Sequence, residues 1–190
     1  MSLDLNKMIP EIHKNAVAHG FWEGERDLAL TRALIHSEWS EALEEFRAGR
    51  PMVWFACNEA VPPSICNPSD ESECTNFGHE ESCQHRLKKP EGIAVELIDG
   101  VIRILDLLGS FKESLVPMRI RFWATDDYTL PQLVDYLHFK TGRLTEARTL
   151  TTIVVSVCRW LEKQGVDWES VLMMKHEYNK SRPYLHGKKC

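Results

Sequence analysis

Residues 90–109 read PEGIAVELIDGVIRILDLLG. Ile93, Val95, Leu97, Ile98, Val101, Ile102, Ile104, Leu105, Leu107 and Leu108 are apolar, and Glu96, Asp99, Arg103 and Asp106 make the only polar stripe. Helix neighbours lie three and four apart, so this spacing predicts a helix apolar on nearly every side and buried over most of its circumference. It opens at Pro90, a favoured first-turn residue, and stops before Gly109. Further helices are expected on both sides, at about 3–19, 26–48, 131–140, 146–164 and 167–182, with Asp167 as an N-cap and Pro183 as a stop. No alternating strand series appears, and only Ile153-Val154-Val155 is β-branched enough to be ambiguous. The fold class is all-α: a helical bundle in one domain spanning 1–190.

The composition agrees. The chain has 190 residues, 43% hydrophobic and 27% charged, with a formal net charge of -5. Such a chain can bury roughly 70% of its unfolded surface as one domain. No apolar run approaches the ~20 residues of a membrane span. The opening residues carry no apolar signal core, so a cytoplasmic location is expected. The negative charge argues against a general surface for a nucleic acid polymer. Reduced thiols are then the default for Cys57, Cys66, Cys74, Cys83, Cys158 and Cys190. Cys66, Cys74 and Cys83, with His79 and His85, lack the tight ligand pairs of structural zinc sites, and loop cysteines with no shared role are the expectation. They sit in the long aperiodic stretch 51–89, a loop insert of unusual length for a compact domain.

Residues 96–109 align without gaps on 152–165, TIVVSVCRWLEKQG. Val101/Val157, Arg103/Arg159, Leu105/Leu161 and Gly109/Gly165 are shared, and upstream Ile35-His36 stands against Leu137-His138. A duplicated helix pair and chance similarity between two amphipathic helices both fit. If duplicated, the second copy lacks acids, since Glu96 and Asp99 become Thr152 and Val155.

Two acidic pairs carry the candidate chemistry. Glu38 and Glu41 form an E-x-x-E flanking a core stripe of Leu28, Ile35, Trp39, Ala42 and Phe46, with His36, Ser37, Ser40 and Glu44 on the solvated side. Glu96 and Asp99 form an E-x-x-D on the polar stripe of the apolar helix. Either pair alone is ordinary surface. Brought together by antiparallel packing, four carboxylates raise one another's pKa unless a multivalent cation holds them, and hard ions such as Mg²⁺ or Mn²⁺ suit carboxylate oxygens. On the last helix Lys175, Asn179 and Arg182 continue the face of Trp168, Val171 and Leu172. Inward cations there suit an anionic ligand bridged to metal, or a structural ion pair with the acids.

The motifs Glu38-x-x-Glu41 within HSEWSEALEEF and Glu96-x-x-Asp99 within the apolar helix resemble those of the MazG-like all-α nucleoside triphosphate pyrophosphohydrolase superfamily. The terminal KHEYNKSRPYLHGKK, with Lys175, Asn179, Arg182 and Pro183, is similar to the closing helix and tail of that family. The resemblance covers most of the chain. Two departures are the loop that lengthens the interval from Glu41 to Glu96, and the inserted segment 110–165.

The resemblance implies a Mg²⁺-dependent hydrolase, with Mn²⁺ as a substitute, that splits a nucleoside triphosphate into monophosphate and pyrophosphate. Glu38, Glu41, Glu96 and Asp99 would be the catalytic metal ligands. Lys175, Asn179 and Arg182 would position the phosphates or sugar, and Arg103 is a further phosphate candidate. Trp22 would stack on the base, although core packing fits it equally, and His13 would reach the same pocket. The resemblance also implies a homodimer. The competing expectation is a non-catalytic nucleotide-binding or regulatory helical dimerisation module; four intact acids favour the enzyme. A helical di-iron protein would need E-x-x-H pairs, and neither acidic pair has that form.

Overall fold

In a computed structural model, which describes residues 3–24, 27–56, 89–118, 124–144 and 146–187, the apolar run forms the central helix of a bundle. The helices are α1 (Leu5–Ala18), α2 (Leu28–Arg47), α3 (Ile93–Phe111), α4 (Leu130–Thr141), α5 (Ala147–Lys163) and α6 (Trp168–Lys180). Helices α1, α2, α5 and α6 all pack on α3, while α4 packs on α2. Helix α3 has few ways to leave an apolar residue exposed, and its Val95, Leu97, Ile98, Val101, Ile104, Leu105 and Leu108 are all buried. Side-chain caps from Asp4, Asp27 and Asp167 satisfy backbone N–H groups at the starts of α1, α2 and α6. Among the described residues no helix is long and apolar enough to cross a membrane.

The expected start of the central helix at Pro90 is corrected. Pro90 belongs to a short strand β2 (Lys89–Glu91), which pairs antiparallel with β1 (Trp54–Ala56), and Phe55 stands opposite Pro90. The helix waits for Gly92, at φ 113, where a Cβ would press on the carbonyls of Pro51 and Met52. Ala94 N then donates to Met52 O at 2.9 Å, tying the helix start to the ribbon. This ribbon lies in the stretch read as loop; residues 57–88, with the candidate cysteine–histidine set, fall outside the described residues. Ile153, Val154 and Val155 are helical within α5.

Helix α2 departs from its expected faces. Phe46 is 48% exposed and Leu28 only partly buried, whereas Ile35, Trp39 and Ala42 are fully enclosed. His36 is not on a solvated side, because α4 covers it: its ring stacks on His138 with centroids 5.0 Å apart. Trp39 Nε1 donates to Thr141 Oγ1 at 2.9 Å. Both contacts join residues 102 positions apart. His36 and His138 are the residues set against each other in the upstream part of the alignment, and they meet directly in the fold.

One close approach fixes α2 against α3. A Cβ on Gly100 would overlap the Trp39 ring, so the two helices touch at a residue without a side chain. Glu38 precedes Trp39 and Asp99 precedes Gly100, so this contact sets the register of the acids. Gly100→Ala should cost about 1–3 kcal/mol by overpacking and should weaken any cation site built across the two helices. Denaturant midpoints check this, and an unchanged midpoint would mean that Trp39 moves aside freely.

Candidate metal centre and adjoining pocket

Glu38 and Glu41 from α2 meet Glu96 from the first turn of α3, each offering a carboxylate oxygen within 4.8 Å of the others. Glu38 and Glu96 are buried, and Glu41 is the exposed member. Oxygens on one octahedral ion lie about 3–4 Å apart, given metal–oxygen distances of about 2.1 Å, so small side-chain movements would bring the three onto one cation.

Asp99, the fourth expected acid, has a different partner. Lys175 Nζ lies 2.8 Å from its Oδ2, and Lys175 is only 2% exposed. Burial opposes the charged Asp99, but Lys175, Arg103 and a hydrogen bond from Asn179 outweigh it and hold the carboxyl below its ordinary range. Arg103, expected at the phosphates, donates through Nε to Glu38 at 2.6 Å. Its neighbours Glu38 and Asp99 overcome burial and keep the guanidinium charged. Both alternatives left open for Lys175 are thus narrowed in this state: it is an ion-pair partner of the acids.

The two buried glutamates carry the electrostatic load. Burial pushes Glu38 up to about 7, against the attraction of Arg103. Burial pushes Glu96 up to about 9, opposed by Lys175 and reinforced by Asp99 and a hydrogen bond with Glu91. Glu91 is a fifth acid of this centre that the sequence reading missed. It lies on β2, paired with Lys89, in a ribbon with no periodic signal to place it beside the helical acids.

Raised carboxyl pKa values mean that the folded state binds these protons more tightly than the unfolded chain. The metal-free protein should therefore lose stability as pH rises from about 4.5 to about 7 for Glu38 and to about 9 for Glu96. The slope is up to about 1.4 kcal/mol per pH unit for each group. A divalent cation at ~100 times its Kd should restore about 2.7 kcal/mol at pH 8 and much less at pH 5, where protons compete for the same oxygens. Thermal melts with Mg²⁺ and with EDTA check this; curves flat in pH and indifferent to Mg²⁺ would make these ordinary surface acids.

Beside the acids opens a recess of about 580 Å³, part of it solvent. Ile12, Ala16, Phe21 and Ile102 give it apolar walls, and Asp99, Arg103, Asp106, Asn179, Arg182 and His186 give it polar ones. Asn179 and Arg182, expected at a ligand, line it together. Lys175 sits behind them against Asp99.

Trp22 and His13 are not among the lining residues. Asp106 Oδ1 accepts from Trp22 Nε1 at 2.8 Å and from His13 Nδ1 at 2.7 Å, and the two rings pack edge-on. They hold Asp106 from behind, and Trp22 packs against the core, one of the two expectations for it. Asp106 was legible as part of the polar stripe but had no assigned role. Burial is the leading cause that lowers His186 to about 3, with the charges of Arg182 and His19 adding to it, so its imidazole is neutral.

The chain matches no known protein-family profile, no curated protein and no solved structure.

Proposed function

We propose that this protein is a Mg²⁺-dependent nucleoside triphosphate pyrophosphohydrolase of the MazG-like type, acting on the nucleotide pool of the cytoplasm. The observation that carries the reading is the convergence of Glu38, Glu41 and Glu96 within 4.8 Å, linked through the Glu38–Arg103 contact to a recess that Arg103, Arg182 and Asn179 line. The buried pair Glu38 and Glu96, both pushed toward neutrality, suits a cation that would let them ionise. Glu38, Glu41 and Glu96 would hold Mg²⁺, with Asp99 joining them if Lys175 yields it. Bound there, the ion would neutralise phosphate charge and lower the pKa of water.

The chain's own residues supply the rest. Arg182 forks onto phosphate oxygens. Lys175 keeps Asp99 charged and in place. The apolar walls of the recess exclude water from the ligand they enclose, which strengthens each polar contact inside. The family resemblance also implies a homodimer, which light scattering checks.

Pyrophosphate release from a panel of ribo- and deoxynucleoside triphosphates, with Mg²⁺ and with EDTA, tests the reading. Release in Mg²⁺ alone supports it; silence across the panel, or equal release in EDTA, overturns it. A second reading, nucleotide binding without cleavage, is favoured by one observation: Glu38 and Asp99 are already paired with Arg103 and Lys175. Tight triphosphate binding without pyrophosphate release would identify it.

Arg182→Ala should lower kcat/KM by about 10²-fold or more if Arg182 stabilises developing charge. Stability should change little, because Arg182 lies past the end of α6 and its side chain donates a long hydrogen bond, 3.3 Å, to the backbone carbonyl of His186. Near-normal kinetics with a large loss of stability would make it a structural residue.

A further inference from the structure

The recess is closed on one side by the turn Tyr184–Gly187, where Leu185 (φ 48, ψ 22) and His186 (φ 53, ψ 27) are both left-handed. That conformation costs a non-glycine residue roughly 1–2 kcal/mol. Contacts from the far end of the chain hold it. Leu185 N donates to His19 O at 2.8 Å, Tyr184 donates its hydroxyl to Glu23 at 2.6 Å, and the His186 ring packs edge-on against His19 and Phe21. A strained turn anchored this way presents one functional group to the recess: the imidazole of His186, whose Nε2 is buried without a hydrogen-bond partner.

A second such atom lines the same recess. Asn179 is buried, and its amide nitrogen faces Asp99, leaving Oδ1 enclosed with no partner. Each buried polar atom left unpaired costs about 1–3 kcal/mol, and here two of them share one cavity with Ile12, Ala16 and Ile102. Asn179 Oδ1 can only accept, so its missing partner is a donor, a hydroxyl or an amino group. Imidazole Nε2 can donate or accept, according to the tautomer.

We propose that His186 is a substrate-contacting residue, which with Asn179 hydrogen-bonds the uncharged sugar–base part of a nucleotide seated in this recess. This rests on the nucleotide reading above and adds a residue and a role to it. The phosphates then lie toward Arg182 and the glutamates, and the polar pair selects among nucleosides by the donors they present.

The test is calorimetric titration with nucleoside monophosphates of the four bases, ribo and deoxy, in Mg²⁺, on wild type, His186→Gly and His186→Asn. Glycine removes the ring and relaxes the left-handed backbone, so the turn survives. Asparagine tolerates that backbone and restores an amide donor and acceptor. Wild type is expected to bind at least one monophosphate, His186→Gly to bind it about tenfold more weakly or worse, and His186→Asn to recover part of the loss. Equal affinity in His186→Gly, or no monophosphate bound by wild type, overturns the proposal. Pyrophosphate release on the same proteins separates the two readings. Cleavage with binding indifferent to His186 leaves the hydrolase and removes this contact; His186-dependent binding without cleavage does the reverse.

Discussion

Glu96→Gln is expected to abolish pyrophosphate release, by about 10³-fold or more, while the metal-free protein becomes more stable at pH 8. The two effects have one cause. Glu96 is buried, and its carboxyl is pushed up to about 9, so at pH 8 the wild-type site must either hold a proton or expose an unpaired charge to a poor environment. Glutamine keeps the size and removes that conflict, which stabilises the folded state by roughly 1 kcal/mol or more. It also removes a charged ligand from the set of three that converges within 4.8 Å. Losing one preorganised electrostatic contact costs about 10²–10³, and losing the cation costs more. Kinetics and melts on the same preparation check the pair of signs. A Glu96→Gln enzyme with wild-type turnover, or one that unfolds more readily at pH 8, would contradict the account.

The second large effect is expected on stability. Lys175→Met should destabilise the metal-free protein by about 3–5 kcal/mol at pH 8, because it leaves Asp99 charged and half-enclosed without its partner. Lys175 is held above its ordinary range by Asp99 and Glu96, against burial. Its contribution is therefore fully present at pH 8 and is lost only as pH rises through that raised value. Adding Asp99→Asn to Lys175→Met should recover much of the loss, since a neutral pair carries no stranded charge. Denaturant curves for the two single variants and the double variant measure the coupling. A loss under about 1 kcal/mol in Lys175→Met would mean that solvent screens the pair.

The sequence made α3 legible because ten apolar residues between Ile93 and Leu108 call for burial, and only a helix gives such a run a consistent polar stripe. The E-x-x-E and E-x-x-D pairs were legible for a similar reason: three-residue spacing places each pair on one face. Which acids would meet was not. Pairing depends on the register between α2 and α3, and that register is set by Gly100 receiving the Trp39 ring, a contact between distant residues with no local signature. The outcome brings Glu38, Glu41 and Glu96 together and hands Asp99 to Lys175.

The ribbon of Trp54–Ala56 and Lys89–Glu91 escaped notice because each strand has three residues, too few for alternation to register. Glu91 escaped with it. Trp22 was read as an aromatic face for a base or as core packing; it does pack on the core, but neither reading foresaw that its indole N–H holds Asp106. His36 looked solvated on a single-helix wheel because a wheel does not show that α4 lies across it. For Trp22 and His36 the local pattern named the group, and tertiary packing chose its partner.

The central claim is that Glu38, Glu41 and Glu96 hold a divalent cation, and titration with Mn²⁺ followed by electron paramagnetic resonance tests it without any assumption about substrate. The account predicts saturable Mn²⁺ binding by the wild-type chain, displaced by Mg²⁺, weakened as pH falls below about 7 where Glu38 takes its proton, and lost in Glu96→Gln. Mn²⁺ that binds Glu96→Gln as tightly as wild type, or that fails to saturate on the wild-type protein, would contradict it.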